Sequence, residues 1–232
     1  MIRLASKAML LSALGVMAAG AVLAGVPNAT NSNLNAQVFG VPGPVLILGG
    51  RSGGGVADPR CEKQITVKDA ANNPVANSVV TINFANCDNG ADNIRLANTQ
   101  PFNTLNCAAQ SVSATTNASG VAVFRIVGAA FAAGSGTAGV GEGCATVTAD
   151  GVPLGALSVA TADLSGNLAG VGNNDFLMAS QAIFNAALCA PCYRSRINYV
   201  GAVGVYDNAD FTYFSQTFAI NGSVSNAAAF CP

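Results

Sequence analysis

The residues best suited to chemistry lie in a Gly-rich loop that starts at Asp163 and closes at Asp175. Oxygen-bearing side chains, Ser165 and Asn167, occupy the third and fifth positions of this loop. Ca²⁺ takes about six to eight oxygen ligands, and a short loop can supply them from alternating positions. The loop therefore predicts a calcium site with these four side chains as ligands, although its closing acid falls one position later than in the usual loop.

The same pattern recurs 35 residues later, in a second loop that runs from Asn198 to Asp210. Val200 and Ala202 hold the third and fifth positions of this loop and have no side-chain oxygen. We therefore expect calcium in the first loop only. Six positions are identical in the two copies, namely Gly166/Gly201, Asn173/Asn208, Asp175/Asp210, Phe176/Phe211, Ser180/Ser215 and Gln181/Gln216.

A segment with helical spacing follows each loop. Phe211, Phe214 and Phe218 recur at intervals of three and four, and Phe176 begins the same pattern in the first copy. Residues at this spacing lie on one face of an α-helix. The tail is therefore expected to form two helices, with these aromatic side chains as the core between them.

The middle of the chain alternates with a period of two. Ile65 and Val67 share one face of a predicted strand, and Val80, Ile82 and Phe84 share a face of the next. β-Branched and aromatic residues in this pattern are typical of half-buried strands. Short runs of this kind, separated by Asn, Pro and Gly turns, predict an antiparallel β-sandwich.

These patterns divide the chain into four segments and predict a mainly β fold with a small C-terminal helical module. The segments are a signal peptide at 1–24, a flexible Gly/Asn/Pro-rich lead-in at 25–60, a β-sandwich at 61–161 and a duplicated loop–helix module at 162–232. Within the lead-in, the apolar run at 45–48 could add one strand to the sandwich.

The N-terminus indicates export. Arg3 and Lys7 precede an apolar run that ends in small residues near Ala24, which is the pattern of a secretory signal peptide. An uncleaved anchor is the alternative, because the run approaches the length that spans a bilayer. No later run is as apolar, so the mature chain is expected to have no membrane span.

The chain has seven cysteines, which in an oxidising compartment favour disulfides over metal or redox chemistry. Local closure suggests the pairs Cys87–Cys107 and Cys61–Cys144, although connectivity does not follow from sequence alone. The odd number leaves at least one thiol outside intrachain pairs.

Cys189 and Cys192 form a CxxC motif around Pro191. A redox CxxC should open a helix beside a strand, and this one lies in a stretch typical of a loop. A local bridge, or a bond from one of the two to Cys231, are the structural alternatives.

The composition excludes several classes of function. The chain has no His, which removes Ser-His-Asp and Cys-His nucleophile pairs and the usual zinc ligand. Its ten basic residues form no cluster of the kind that binds nucleic acid. Most of its eleven acids lie in turns or in the repeat loops, and it has no Trp to stack on a sugar. We therefore expect a protein that is not an enzyme.

Two motifs in the middle of the chain carry a family resemblance. "ITVKDAANNPVANSVVTINF" and "TTNASGVAVFRIVG" fall within residues 61–161. They resemble the bacterial immunoglobulin-like domains of the invasin and intimin type, in which such turns join core strands. The resemblance implies an Ig-like β-sandwich, from which the insert between Cys87 and Cys107 departs.

The duplicated loop–helix arrangement, over residues 160–220, resembles a dockerin. In dockerins calcium folds the module, and helix residues beside each closing acid contact a cohesin partner. By position, the resemblance places Asn173, Asn174, Asn208 and Ala209 at the partner face. It also implies a link with polysaccharide-degrading assemblies.

The combined expectation is a secreted, non-catalytic binding protein. Its dockerin-like tail would dock an Ig-like domain to a cohesin-like protein or a surface scaffold, with calcium in the first loop. The alternative is a structural or adhesive cell-surface protein, in which the tail is a stabilising cap with no docking partner.

Overall fold

A computed structural model of the chain describes residues 25–37, 45–48, 61–87, 94–100, 102–130, 143–161, 163–164, 172–184, 199, 207–221 and 230–231. The predicted signal peptide and the CxxC motif lie outside these residues. Within them, no helix has both the length and the apolar character needed to cross a membrane.

Eleven strands and two α-helices lie in the described part of the chain. The strands are β1 (Asn33–Gln37), β2 (Val45–Leu48), β3 (Lys63–Thr66), β4 (Val79–Asn83), β5 (Ile94–Leu96), β6 (Thr104–Asn106), β7 (Ser111–Thr115), β8 (Val121–Phe124), β9 (Gly128–Ala130), β10 (Ala145–Ala149) and β11 (Val152–Thr161). The helices are α1 (Asn173–Phe184) and α2 (Asn208–Asn221).

Most of the strands belong to two sheets. The larger sheet has the order β2-β11-β10-β4-β7-β6, the smaller has the order β1-β3-β8, and β5 and β9 form a separate pair. β2 and β11 are parallel, whereas the other paired strands are antiparallel. The prediction of a mainly β fold with antiparallel sheets and two C-terminal helices is therefore confirmed.

Both sheets contribute to one hydrophobic core. The side chains of Ile65 on β3 and Phe124 on β8 pack in the same buried cluster as Val80 and Ile82 on β4. These residues alternate with more exposed ones along each strand, because successive side chains of a strand point to opposite faces. The buried faces predicted from the period of two are those the structure buries.

Tight turns set the register of these strands. Asp150 and Gly151 join β10 to β11 with φ angles of 48° and 81°, the left-handed values that a two-residue hairpin turn requires. Gly120, which precedes β8, has φ of 73°, and a Cβ there would lie 2.5 Å from the carbonyl oxygen of Val67. Only glycine fits this second turn, so its place in the sequence fixes the start of β8.

The N-terminal lead-in contributes two strands to the sheets. Two of its segments are strands, β1 on the edge of the smaller sheet and β2 on the edge of the larger one. The apolar run that was expected to add a strand is β2. β1 was not expected, because its sequence Asn-Leu-Asn-Ala-Gln has only one large apolar residue.

The disulfide pairing differs from the prediction. The structure joins Cys87 to Cys144 and Cys107 to Cys231, so the predicted pairs Cys87–Cys107 and Cys61–Cys144 are wrong. Strand register is the reason, since β10 runs antiparallel to β4. The residue just before β10, Cys144, therefore meets Cys87 just beyond the end of β4. Cys61 is buried beside the start of β3.

Candidate functional site

The carboxylate of Asp175 closes the first tail loop by binding backbone amides. Its Oδ1 accepts the N–H of Leu164 at 2.7 Å, and its Oδ2 accepts the N–H of Gly172 at 2.7 Å. Asp175 lies in the first turn of α1 and is fully buried. One side chain thus joins the start of the loop, the residue before the helix and the helix itself.

Asp210 makes the same arrangement in the second copy. Its Oδ1 accepts the N–H of Tyr199 at 2.7 Å, and its Oδ2 accepts the N–H of Asp207 at 3.1 Å. Asp210 is also fully buried, in the first turn of α2. We call each set of one carboxylate and two backbone amides an Asp clamp.

The two Asp clamps are related by the sequence repeat. Leu164 and Tyr199, the first donors, are 35 residues apart, as are Asp175 and Asp210. In both copies the carboxylate lies 11 residues after its first donor. The repeat is therefore a repeat of structure, in which Leu164 and Tyr199 hold equivalent positions.

Each Asp clamp also caps a helix. Gly172 and Asp207 immediately precede α1 and α2, and their carbonyl oxygens accept the N–H of Phe176 and Phe211. An acid at the third helical position that binds the N–H of the capping residue satisfies a donor that the helix leaves unpaired. The negative charge near a helix N-terminus also interacts favourably with the helix dipole.

The second cap is reciprocal and the first is not. Asp207 Oδ1 accepts the N–H of Ala209 at 2.7 Å, which is the bond expected of a capping Asp. Gly172 has no side chain with which to form this bond. The second copy thus retains a complete capping box, whereas the first relies on Asp175.

Tyr199 anchors the second loop to the β-domain. Its hydroxyl donates to the carbonyl oxygen of Thr161, the last residue of β11, at 2.7 Å. Its ring stacks on Tyr213 of α2 with centroids 5.5 Å apart. Burial, with the nearby carboxylates of Asp175 and Asp210 as further causes, raises the pKa of Tyr199 well above its ordinary value. Tyr199 therefore stays protonated and keeps donating this hydrogen bond.

Aromatic side chains pack the two helices together. The equivalent residues Phe176 and Phe211 contact each other with ring centroids 5.7 Å apart, and Phe184 lies 4.9 Å from Phe211. Phe214 is fully buried and lies 6.3 Å from Phe176. The predicted contact between Phe176 and Phe211 and the predicted burial of Phe214 are confirmed, although Phe176 is 38% exposed; the side chain of Phe218 lies outside the described residues.

The proposed calcium ligands are only partly described. Asp163 is buried. Its backbone contacts β9, because its carbonyl oxygen accepts the N–H of Ala130 at 2.8 Å. Ser165 and Asn167 lie outside the described residues. Both carboxylate oxygens of Asp175, the fourth proposed ligand, accept backbone N–H groups in the first Asp clamp. Calcium in the first loop stays a prediction, and no cluster of metal-ligating side chains occurs in the described ranges.

The residues placed at the partner face are exposed. Asn173 and Asn174 form the first turn of α1, and Asn208 and Ala209 form the first turn of α2. The Asp clamps hold both turns, because the carboxylates belong to the residues that follow. The positions predicted from the resemblance are therefore accessible and fixed in place.

A second surface lies on the β-domain and was not anticipated. Arg125 forms an ion pair with Glu62 at 2.5 Å and lies over the ring of Phe102 at 5.0 Å from its centroid. Phe102 and Val123 lie on the wall of a cleft of about 410 Å³ between the edges of the two sheets. The described residues of the cleft walls supply hydroxyl, amide and apolar groups.

Comparison with known proteins returned nothing: no family model, no curated protein and no solved structure matches this chain.

Proposed function

We propose that the chain is an exported, non-catalytic attachment protein whose duplicated tail docks onto a protein partner, a surface or scaffold protein. The observation that carries this proposal is the pair of Asp clamps. They present two equivalent helix N-terminal turns in a fixed geometry. Preorganisation of a contact surface reduces the entropy that binding must offset, so a rigid pair of helix starts suits recognition of a folded partner.

The exposed surface of α1 has the chemistry of a protein interface. Asn173 and Asn174 supply exposed amides, and Leu177 and Phe184 on the same helix are 54% and 60% exposed. Interfaces combine an aromatic or aliphatic centre that is poor in charge with a polar rim. The partner proposed here is accordingly a protein with an apolar patch bordered by hydrogen-bonding groups.

Two disulfides and the N-terminal sequence support export independently of the Asp clamps. Two disulfides lie within the described residues, and such bonds persist in oxidising compartments outside the cytosol. The signal-peptide pattern at the N-terminus agrees with them. Association with polysaccharide-degrading assemblies is part of the proposal through the dockerin resemblance alone.

A capture experiment tests the docking surface. The full mature chain is immobilised, and saturable binding of proteins from the source organism's envelope is measured and the bound protein identified. Asn174→Arg combined with Ala209→Arg places charge on both helix starts and should weaken binding at least about tenfold. Asn98→Arg, on an exposed loop of the β-domain, is the matched control and should leave binding unchanged. Equal affinity of both variants and the wild type would overturn the proposal.

The alternative function, a structural or adhesive protein without a docking partner, has its own support. The tail is tied to the β-domain by Tyr199 at its middle and by Cys231 near its end, which forms a disulfide with Cys107. A stabilising cap needs such ties. No saturable partner, together with a large loss of β-domain stability when the tail is unfolded, would favour this alternative.

A further inference from the structure

In each tail loop, the buried charge is already compensated by backbone amides. Asp175 and Asp210 are fully buried, and each of their four carboxylate oxygens accepts one backbone N–H at 2.7 to 3.1 Å. A buried carboxylate requires such partners, because removal of its hydration is otherwise costly. Equivalent residues form these hydrogen bonds in both copies, so the bonds are a repeated structural feature of the tail.

These bonds engage the carboxylate oxygens that would otherwise be offered to a cation. The amide N–H groups direct their positive ends at the same oxygens that would coordinate Ca²⁺, and a cation there would be repelled by them. In a calcium loop the first residue supplies an oxygen ligand. Counted back over the usual 12 residues from the closing acids Asp175 and Asp210, the first residues are Leu164 and Tyr199, which are 1% exposed. Leu164 has no side-chain oxygen, and the hydroxyl of Tyr199 is directed to Thr161.

We propose that the carboxylates of Asp175 and Asp210 replace a bound cation, so that both loop–helix units of this tail fold without metal. In a calcium-binding loop the ion ties the loop start to the closing acid of the helix. Here the acid reaches the loop start directly through the N–H of Leu164 or Tyr199. The unit is closed by two hydrogen bonds to one side chain and needs no ligand.

If the tail docks as proposed above, its docking does not depend on calcium, and this statement rests on that proposed function. A partner that recognises the two helix starts binds equally well in calcium and in chelator. Folding without metal, in contrast, is a property of the isolated chain. The following measurements are made without a partner, so their failure is separate from failure of docking.

Calcium titration of the full mature chain is the first test. Calorimetry is expected to show no binding heat, and thermal melts in excess CaCl₂ and in EDTA are expected to give the same Tm. A ligand that binds only the folded state raises stability in proportion to the logarithm of its concentration above Kd. A saturable calcium heat, or a Tm lowered by EDTA, overturns the proposal.

Substitution of the two acids is the second test. Asp175→Asn and Asp210→Asn keep the side-chain shape but direct an NH₂ group at one of the two amide donors. Each is expected to lower the Tm of the tail in EDTA, by a similar amount in the two copies and with no recovery on addition of calcium. Asp207→Asn retains an acceptor for Ala209 and is the matched control, with a smaller change. Equal melts for all four proteins in EDTA would show that the Asp clamps do not close the loops.

Discussion

At the scale of single residues, this protein buries charge in two different ways. Asp175 and Asp210 are compensated by backbone amides, whereas Lys63 on β3 is 1% exposed and its pKa is lowered to about 8 by loss of hydration. Desolvation disfavours the charged form of a lysine. Burial of Lys63 therefore costs stability while its ammonium group is charged.

Lys63 gives the β-domain a specific pH dependence. Between about pH 8 and the ordinary lysine pKa near 10.5 the unfolded chain binds the extra proton, so stability rises with pH across this window. Below it, both states are protonated and the cost of burying the charge is fully present. Lys63→Met is therefore expected to gain stability over the wild type at about pH 7, by an amount that shrinks by about 2–3 kcal/mol at about pH 10. Urea unfolding at the two pH values measures this difference, and a gap independent of pH would contradict it.

Tyr199 allows a test of the tail's anchor. Tyr199→Phe keeps the ring that stacks on Tyr213 but removes the hydrogen bond to Thr161. A buried carbonyl that loses its partner costs about 1–3 kcal/mol. Urea unfolding should show a loss of this size, and an unchanged midpoint would mean that the hydroxyl contributes nothing to the anchor.

At the scale of elements, the edge strand β8 shows how the sheets are terminated. Asn103 donates from its side chain to the carbonyl oxygen of Val123 at 3.0 Å and accepts the N–H of Arg125 at 2.9 Å. Asn117 accepts the N–H of Val121 at 3.1 Å. Side chains thus pair backbone groups that would otherwise offer an edge for another strand to join.

Removal of this edge protection has a measurable effect. Asn103→Ala deletes one hydrogen bond to β8 and one to Arg125, the residue that follows it; it is expected to cost about 1–2 kcal/mol and to increase aggregation on heating. Asn98→Ala, an exposed residue whose side-chain oxygen accepts a bond only from its neighbour Thr99 in the hydrogen bonds described, is the control. Urea unfolding and light scattering compare the two variants. Identical behaviour would show that β8 needs no protection.

Elements with two agreeing signals could be predicted from sequence. The tail helices carry both aromatic residues at helical spacing and an acid in the first turn, and the hairpin at Asp150–Gly151 carries its turn dipeptide between β-branched runs. β1 has neither alternating apolar residues nor a turn dipeptide beside it, and it is a strand because it pairs with β3. The sequence predicts that Asp175 and Asp210 close the two loops, but it does not show that they do so by binding backbone amides. Whether a carboxylate meets a cation or an amide depends on which backbone groups the fold brings to it.

At the scale of the whole molecule, two disulfides connect distant parts of the sequence. Cys87–Cys144 spans 57 residues and joins neighbouring strands, and Cys107–Cys231 spans 124 residues and returns the C-terminus to the β-domain. The N–H of Cys231 also donates to the carbonyl oxygen of Leu96 at 2.9 Å. Such pairings follow from sheet register and from the path of the tail, so sequence spacing alone could not give them.

Loss of the longer disulfide should loosen the tail. Replacement of both Cys107 and Cys231 by Ala removes a closure that is worth about 3–5 kcal/mol by the entropy of the unfolded chain. Replacement of both Cys87 and Cys144 by Ala removes the closure of a shorter loop and serves as comparison. Thermal melts measure the losses, and peptide mapping without reductant checks the pairing. Detection of a Cys87–Cys107 peptide would contradict the structure.

Amide hydrogen exchange on the wild-type chain in EDTA is the decisive measurement for the duplicated Asp clamps. The four amides of Leu164, Gly172, Tyr199 and Asp207 should exchange slowly, as one set with similar protection in the two copies, because each is held by a buried carboxylate. Exchange of these amides as fast as that of exposed turn residues, or protection that develops only on addition of calcium, would contradict a tail closed by its own side chains.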